Sequence, residues 1–228
     1  MKRILLIGDS IRMGYDHYVQ ERMANVAEVY FPNTNCGNST MVLRSLHTWA
    51  DDLKLYDVDA VHFNTGLWDT IRIYGDGTML RPENYADNLE RIIHRIQFLF
   101  PNAKIIFATS TPVQEDNYLE DFETRHNCDI EAFNKIACEV LTKYGVVIND
   151  LYELMRDVPD EYYSDQTHFY TAEATERLGR QVSHVLCQTL NLDEGQLIQP
   201  DATKYHCPGR FTPDKEAYIK RGYIYVRK

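Results

Sequence analysis

Two short segments near opposite ends of the chain contain the residue types that nucleophilic catalysis requires. Ser10 follows a short apolar run and a Gly-Asp pair, and Asp165 stands three residues before His168. A free serine hydroxyl is a weak nucleophile near neutral pH, but an imidazole can take its proton and return it to the leaving group. A carboxylate beside the other ring nitrogen fixes the tautomer. The three residues predict a serine hydrolase with Ser10 as nucleophile, His168 as base and Asp165 as orienting acid.

Each segment also has a simpler structural interpretation. A serine after a strand is a common helix cap, and an aspartate close to a histidine is typical of a surface turn. The joint occurrence of both segments favours catalysis.

The segments between and around these residues alternate between strand and helix patterns. Short β-rich apolar runs predict strands over 3–7, 28–31, 60–64, 104–109 and 146–148. Helical periodicity is clearest over 83–100, over 129–144 before Gly145, and after Thr171, which is suited to an N-cap. This alternation predicts an α/β fold with a parallel sheet that is covered on both faces.

Four short motifs follow the predicted strands. They are Gly8-Asp9-Ser10, Gly37 within Asn35-Cys36-Gly37-Asn38, Gly66-Leu67-Trp68-Asp69, and Asp165-Gln166-Thr167-His168. Sites in open parallel sheets form beyond the carboxyl ends of the strands, so all four motifs are expected to meet at one edge.

With these motifs in this order, the chain resembles the SGNH, or GDSL-like, hydrolases over about residues 2–190. The resemblance implies a flavodoxin-like three-layer sandwich with a five-stranded parallel sheet. It also implies membership of a group that contains esterases, lipases, thioesterases and carbohydrate deacetylases. No Gly-x-Ser-x-Gly motif is present, so the nucleophile elbow of the α/β-hydrolases is not the appropriate comparison.

The oxyanion hole is where the chain departs from the family pattern. The resemblance implies donation by the backbone amides of Ser10 and Gly37 and by an asparagine side chain, but Trp68 stands at the asparagine position. The Trp68 indole N–H can replace the amide, Asn64 or Asn38 can substitute, or the enzyme is slow or inactive. Trp68 is equally well explained as an apolar wall of the pocket. Losing one donor typically costs about 100- to 1,000-fold in rate.

Three further residues are predicted to support the site without taking part in the reaction. Asp9 and Asp69 are expected to hold their loops by accepting backbone hydrogen bonds, and Gly66 is expected to allow the turn beside Trp68.

Composition limits the partners of the protein. The chain of 228 residues has 24 Lys and Arg against 34 Asp and Glu, and the resulting net charge of −10 disfavours nucleic acid and anionic membranes. The first apolar run is too short for a signal peptide or a membrane span. Five scattered cysteines and eight histidines lack the spacing of a disulfide framework or a zinc site. We therefore expect a cytoplasmic protein without a metal or other cofactor.

The expected substrate is a small-molecule ester. Five aromatic residues flank the predicted site and suit stacking on a sugar, although burial beneath the loops also explains them: Trp68, Tyr162, Tyr163, Phe169 and Tyr170. We expect removal of a short acyl group, most simply acetyl, from a carbohydrate or related molecule. The alternatives are a lysophospholipase or thioesterase of the same fold, and a catalytically weak carbohydrate-binding protein.

The last part of the chain lacks the periodicity of the rest. We predict a hydrolase domain over 1–190 and an extension over 191–228 that ends in a strand-like segment from Tyr223 to Val226. The extension is expected to pack on its own domain or at the interface of a homo-oligomer.

Overall fold

The computed structural model describes residues 1–118 and 123–205, and these form a five-stranded parallel sheet with helices on both faces. The strands are β1 (Lys2–Ile7), β2 (Ala27–Tyr30), β3 (Ala60–Phe63), β5 (Lys104–Ala108) and β7 (Val147–Asn149), in the spatial order β2-β1-β3-β5-β7. This is the flavodoxin-like order. The predicted fold class is therefore confirmed.

The central strand β1 shows why the sheet needs two covering layers. Ile4 and Leu6 point into one hydrophobic core and Leu5 and Ile7 into the other, and all four are fully buried. Successive side chains of a strand point to opposite faces, so an unbroken apolar run requires helices on both sides. The register places Ile4 opposite Ala60 of β3, and Leu5 opposite Tyr30 of β2.

Within the described residues, six α-helices provide these layers. They are α1 (Ser10–Arg22), α2 (Ser39–Asp52), α3 (Pro82–Leu99), α4 (Asn127–Leu141), α5 (Leu151–Met155) and α6 (Ala172–Leu190). Helices α1, α5 and α6 pack on the face of Ile4, and α2, α3 and α4 pack on the face of Leu5.

The predicted element boundaries agree with the structure to within a few residues. Thr171 caps α6, since its hydroxyl accepts a hydrogen bond from the Ala174 amide at 3.2 Å. Gly145 follows a short 3₁₀ turn in a left-handed conformation, with φ of 70°. Strands β4 (Arg72–Ile73) and β6 (Glu123–Thr124) pair antiparallel and were not predicted, because two residues are too short to show a strand pattern.

The described part of the extension, residues 191–205, packs along α1 and α6. The Ile198 amide donates to the Arg22 carbonyl at 2.9 Å, and Arg22 Nη1 donates to the Ile198 carbonyl at 2.9 Å. The predicted strand over Tyr223–Val226 lies outside the described residues, as does Cys207. Cys36, Cys128, Cys138 and Cys187, which the structure does describe, form no disulfide. Among the helices of residues 1–118 and 123–205, none combines the length and apolar character needed to cross a bilayer.

Candidate active site

Ser10 is the first residue of α1 and lies at the carboxyl edge of the sheet. Strand β1 ends at Ile7, and the Asp9 side chain caps the helix by accepting a hydrogen bond from the Ile11 amide at 3.0 Å. Gly8 makes this turn possible, because a Cβ at that position would lie 1.9 Å from Asn64 Oδ1. The close approach of the first and third strand ends therefore requires glycine.

The structure brings Ser10, His168 and Asp165 together although the serine and histidine are 158 residues apart in the chain. Ser10 Oγ lies 2.7 Å from His168 Nε2, and His168 Nδ1 lies 2.8 Å and 3.0 Å from the two carboxylate oxygens of Asp165. These distances allow a proton to pass from the hydroxyl to the imidazole while the carboxylate holds the other ring nitrogen.

The turn from Asp165 to His168 aligns the carboxylate with the imidazole. Asp165 Oδ1 also accepts hydrogen bonds from the backbone amides of Thr167 and His168, at 2.7 Å and 2.8 Å. The Asp165 side chain is 3% exposed, whereas that of His168 is 18% exposed. Asp165 is thus fixed by its own turn, while the His168 ring remains partly open to solvent.

Tyr170 supports the histidine from the side. Its ring stacks on the His168 ring with centroids 5.0 Å apart and an angle of 22° between the planes. Its hydroxyl donates to the Ser10 carbonyl at 2.8 Å. Tyr170, which we expected only as a flanking aromatic residue, therefore contacts both the nucleophile residue and the base.

Two buried carboxyl groups connect the motifs beneath the site. Asp9 Oδ1 accepts a hydrogen bond from Asn64 Nδ2 at 2.9 Å, which joins the first motif to the end of β3. Asp69 accepts bonds from the Ser39 amide at 3.0 Å and from the Thr65 hydroxyl at 3.2 Å, which joins the third motif to α2. Burial raises the pKa of both carboxyl groups. Neither group contacts His168 through a hydrogen bond within the described residues.

Several of the predicted oxyanion donors already have partners. The Gly37 amide donates to Asn35 Oδ1 at 2.8 Å, and one of the two side-chain N–H groups of Asn64 donates to Asp9. Asn38 caps α2 with its side-chain oxygen, which accepts from the Met41 amide at 2.9 Å and leaves its NH2 group as a donor.

The Trp68 indole is a further available donor. The side chain is half-buried, and its N–H has no hydrogen-bond partner in the part of the chain that the structure describes. The Ser10 amide lies at the first turn of α1, where helix amides are not used within the helix.

Arg125 is a site residue that the sequence did not predict. It is 6% exposed, and its Nε donates to the Leu67 carbonyl at 3.0 Å, immediately before Trp68. Its Nη1 donates to the Tyr118 hydroxyl at 3.5 Å, and Tyr118 in turn contacts Thr167 Oγ1 in the loop of His168. Arg125 therefore connects the third and fourth motifs. It follows a two-residue strand in an aperiodic segment, so no spacing in the sequence indicated it.

A family model matches most of the chain. The model of the GDSL-like lipase/acylhydrolase family matches residues 6–172. This span includes Ser10, Asp165 and His168 and excludes most of α6 and the extension. No curated protein sequence matches the chain.

Solved structures of similar fold come from several esterase groups. A lipase/acylhydrolase from Enterococcus faecalis has a TM-score of 0.66 and 23% sequence identity, and the aligned region covers 88% of this chain and 99% of the lipase/acylhydrolase chain. The acetyl xylan esterase AlAXEase has a TM-score of 0.62 and 15% identity, covering 81% and 99%. TesA has a TM-score of 0.61 and 19% identity, covering 83% and 100%. At these identities the similarity establishes the shared fold.

Proposed function

Because the chain belongs to the GDSL-like lipase/acylhydrolase family and is a carboxylic ester hydrolase, we propose that it removes a short acyl group from a carbohydrate or related molecule. The acyl group we propose is acetyl. The observation that carries the proposal is the 2.7 Å contact between Ser10 Oγ and His168 Nε2, with Asp165 on the opposite ring nitrogen.

In the proposed mechanism, Ser10 Oγ attacks the ester carbonyl while its proton passes to His168 Nε2. The tetrahedral intermediate collapses as His168 returns the proton to the alcohol oxygen, which leaves with both electrons of the broken C–O bond. Water then attacks the acyl-Ser10 ester while its proton passes to His168, and the carboxylic acid is released as His168 returns this proton to Ser10 Oγ, which takes both electrons of the broken C–O bond. Asp165 holds the imidazole in the required tautomer and stabilises its cationic form.

We propose that the oxyanion is stabilised by the Ser10 amide and the Trp68 indole N–H. The Ser10 amide lies at the positive end of the α1 dipole, which favours negative charge. The indole N–H is proposed because it has no partner among the described residues, and the alternative donors are the second N–H of Asn64 and the side-chain NH2 of Asn38. The Gly37 amide can join these donors only if its bond to Asn35 breaks.

The proposed acetyl and carbohydrate specificity has indirect support. Trp68, Tyr162 and Tyr163 are half-buried, and the two tyrosines, which precede the Asp165–His168 turn, also pack on the core, so only their exposed parts are offered for contact with a sugar. An acetyl xylan esterase shares the fold, although fold alone does not determine the substrate. We also propose a cytoplasmic location, for which the free cysteines of the described residues give modest compositional support.

Hydrolysis of 4-nitrophenyl esters by the wild type and by Ser10→Ala tests the proposal. We expect the wild type to cleave the acetyl ester fastest and Ser10→Ala to match the buffer rate. If the rate instead rises with acyl length beyond about eight carbons, a lysophospholipase or thioesterase is the better assignment, because each buried methylene contributes about 0.8 kcal/mol. If both proteins match the buffer while a sugar still binds, the protein is a carbohydrate-binding relative.

A further inference from the structure

A cavity of about 340 Å³ opens beside α1, between the β2–α2 loop and the extension. We call it the α1 cavity, and its lining includes Met13, His17, Asn33, Tyr170, Lys204 and Tyr205, with Arg12 and Asp16 also contributing. Its volume lies at the lower end of the range for small-molecule sites. The cavity is formed partly by residues 204 and 205, which lie beyond the span of the family match.

The α1 cavity begins about one helical turn from the nucleophile. Ser10, Met13, Gly14 and His17 share one face of α1, since residues three, four and seven apart are neighbours on a helix. Tyr170 spans the distance between them. Its hydroxyl bonds to the Ser10 carbonyl, and its ring lies so close to the helix that a Cβ at Gly14 would be 2.8 Å from Tyr170 Cδ1.

The cavity also lies on the correct side of Ser10 for the leaving alcohol. In the proposed mechanism the alcohol oxygen receives its proton from His168 Nε2, so the alcohol must leave on the histidine side of Ser10. Tyr170 stacks on His168 and also lines the cavity. Tyr170 is 8% exposed and forms a wall that the candidate site and the cavity share, so the alcohol part of a substrate at Ser10 has to run along this wall to reach the cavity.

Arg12 and Asp16 form the floor of the cavity, which is polar but carries little net charge. The two side chains form an ion pair and are 1% and 4% exposed. The guanidinium also donates to the carbonyl groups of Gly8 and Thr34. Because the ion pair leaves little net charge on this floor of the cavity, an uncharged polar ligand matches it.

The extension completes the cavity with an aromatic wall and one cation. Tyr205 packs edge-to-face on Tyr18, with centroids 6.1 Å apart, and its hydroxyl bonds to Glu21. Lys204 is exposed at the rim, as is Asn33 on the opposite loop. Aromatic faces with a few amide, carboxylate and guanidinium groups suit a ring that carries several hydroxyls.

We propose that the α1 cavity is the subsite for the alcohol part of the substrate, and that this part is an uncharged polyol about the size of one sugar ring. The inference rests on the proposed ester hydrolysis and names the chemistry of the leaving group. It gives the extension a role in substrate selection.

The test compares two acetyl esters that differ only in the alcohol, namely ethyl acetate and a mono-O-acetylated methyl glucoside. Met13→Trp fills the cavity from an exposed helix position, where the wild-type side chain is 38% exposed. Met79→Trp is the matched control, because Met79 is 48% exposed and does not line the cavity. We expect Met13→Trp to lower kcat/KM for the glucoside relative to ethyl acetate by roughly tenfold or more. Met79→Trp should leave both rates unchanged.

A binding measurement separates failure of the subsite from failure of the proposed function. Calorimetric titration of unacetylated methyl glucoside should show weaker binding to Met13→Trp than to the wild type and Met79→Trp, by at least about fivefold. The subsite is overturned if Met13→Trp leaves the ratio of kcat/KM for the two esters unchanged, or if it binds methyl glucoside as tightly as the wild type does. This holds even if both esters are cleaved through Ser10. Glucoside binding that Met13→Trp weakens, without Ser10-dependent hydrolysis of either ester, supports the cavity as a sugar site and rejects the proposed function.

Discussion

The two sides of the candidate site differ in how completely they are assembled. On the proton-transfer side, Ser10, His168 and Asp165 are connected by contacts of 2.7 to 3.0 Å. On the proposed oxyanion side, the Gly37 amide donates to Asn35, one N–H of Asn64 donates to Asp9, and the Trp68 indole is the proposed donor. The comparison indicates that the contacts proposed for proton transfer are already made, whereas the donors proposed for the oxyanion are partly engaged elsewhere.

The largest expected effect comes from breaking the assembled side. His168→Ala should lower kcat/KM for an acetyl ester by about 10,000-fold or more, because it removes the only proposed proton acceptor for Ser10. His184→Ala is the matched control, since His184 also pairs with a carboxylate, Glu194 at 2.9 Å, but on the exposed side of α6. Steady-state kinetics of both variants check this prediction. Equal losses in the two variants would reject the assignment of His168.

The oxyanion side is tested by Trp68→Phe, which keeps an aromatic ring but removes the N–H donor. We expect kcat to fall about 100-fold with little change in KM, because the lost bond forms to charge that develops in the transition state. Trp68→Asn should retain more activity than Trp68→Phe, since it restores a donor. A kcat for Trp68→Phe within about threefold of wild type would instead identify Trp68 as a pocket wall.

Arg125→Gln weakens the connection between the two sides. The variant leaves the Leu67 carbonyl without its buried donor and disturbs the contact with Tyr118. We expect about a tenfold fall in kcat and a loss of about 2 kcal/mol in unfolding free energy. Arg72→Gln is the control, because Arg72 bonds Asp129 at 2.7 Å on the partly exposed small sheet. If both variants lose only stability, Arg125 has no positioning role.

Replacing His62 in β3 is expected to have the smallest effect on activity but a clear effect on stability. Burial lowers the pKa of His62 to about 4, against an ordinary value of 6.5. Between about pH 6.5 and pH 4, His62 therefore binds a proton in the unfolded chain but not in the folded protein, so the free energy of unfolding decreases as the pH falls through this range. The decrease amounts to about 3 kcal/mol at pH 4.

Urea unfolding of the wild type and His62→Gln at several pH values measures this contribution. His62→Gln should lose that part of the pH dependence, while the raised pKa values of Asp9 and Asp69 affect both proteins equally. Parallel stability curves for the two proteins would show that His62 does not titrate as the structure implies.

Local patterns explain what the sequence predicted, and long-range contacts explain what it did not. The five strands and the family were predicted because unbroken apolar runs need a sheet covered on both faces and because the motifs follow the strand ends in order. The Asp165–His168 turn is local, so its spacing nearly determines its geometry. The roles of these residues in catalysis remain proposals.

Features that depend on long-range contacts were not predictable. The bond from the Asn64 side chain to Asp9, which is 55 positions earlier, was not predicted. Arg125 reaches Leu67 across 58 positions and carries no motif. The α1 cavity requires α1, the β2–α2 loop and the extension to meet, and no local pattern specifies that meeting.

Covalent labelling tests the central claim most directly, because it reports on the reactivity of one hydroxyl. The wild type should react with a small alkyl fluorophosphonate to give one label per chain, on the peptide that contains Ser10, and His168→Ala should react far more slowly. Labelling of another residue, or no labelling in a preparation that hydrolyses acetyl esters, would contradict the account.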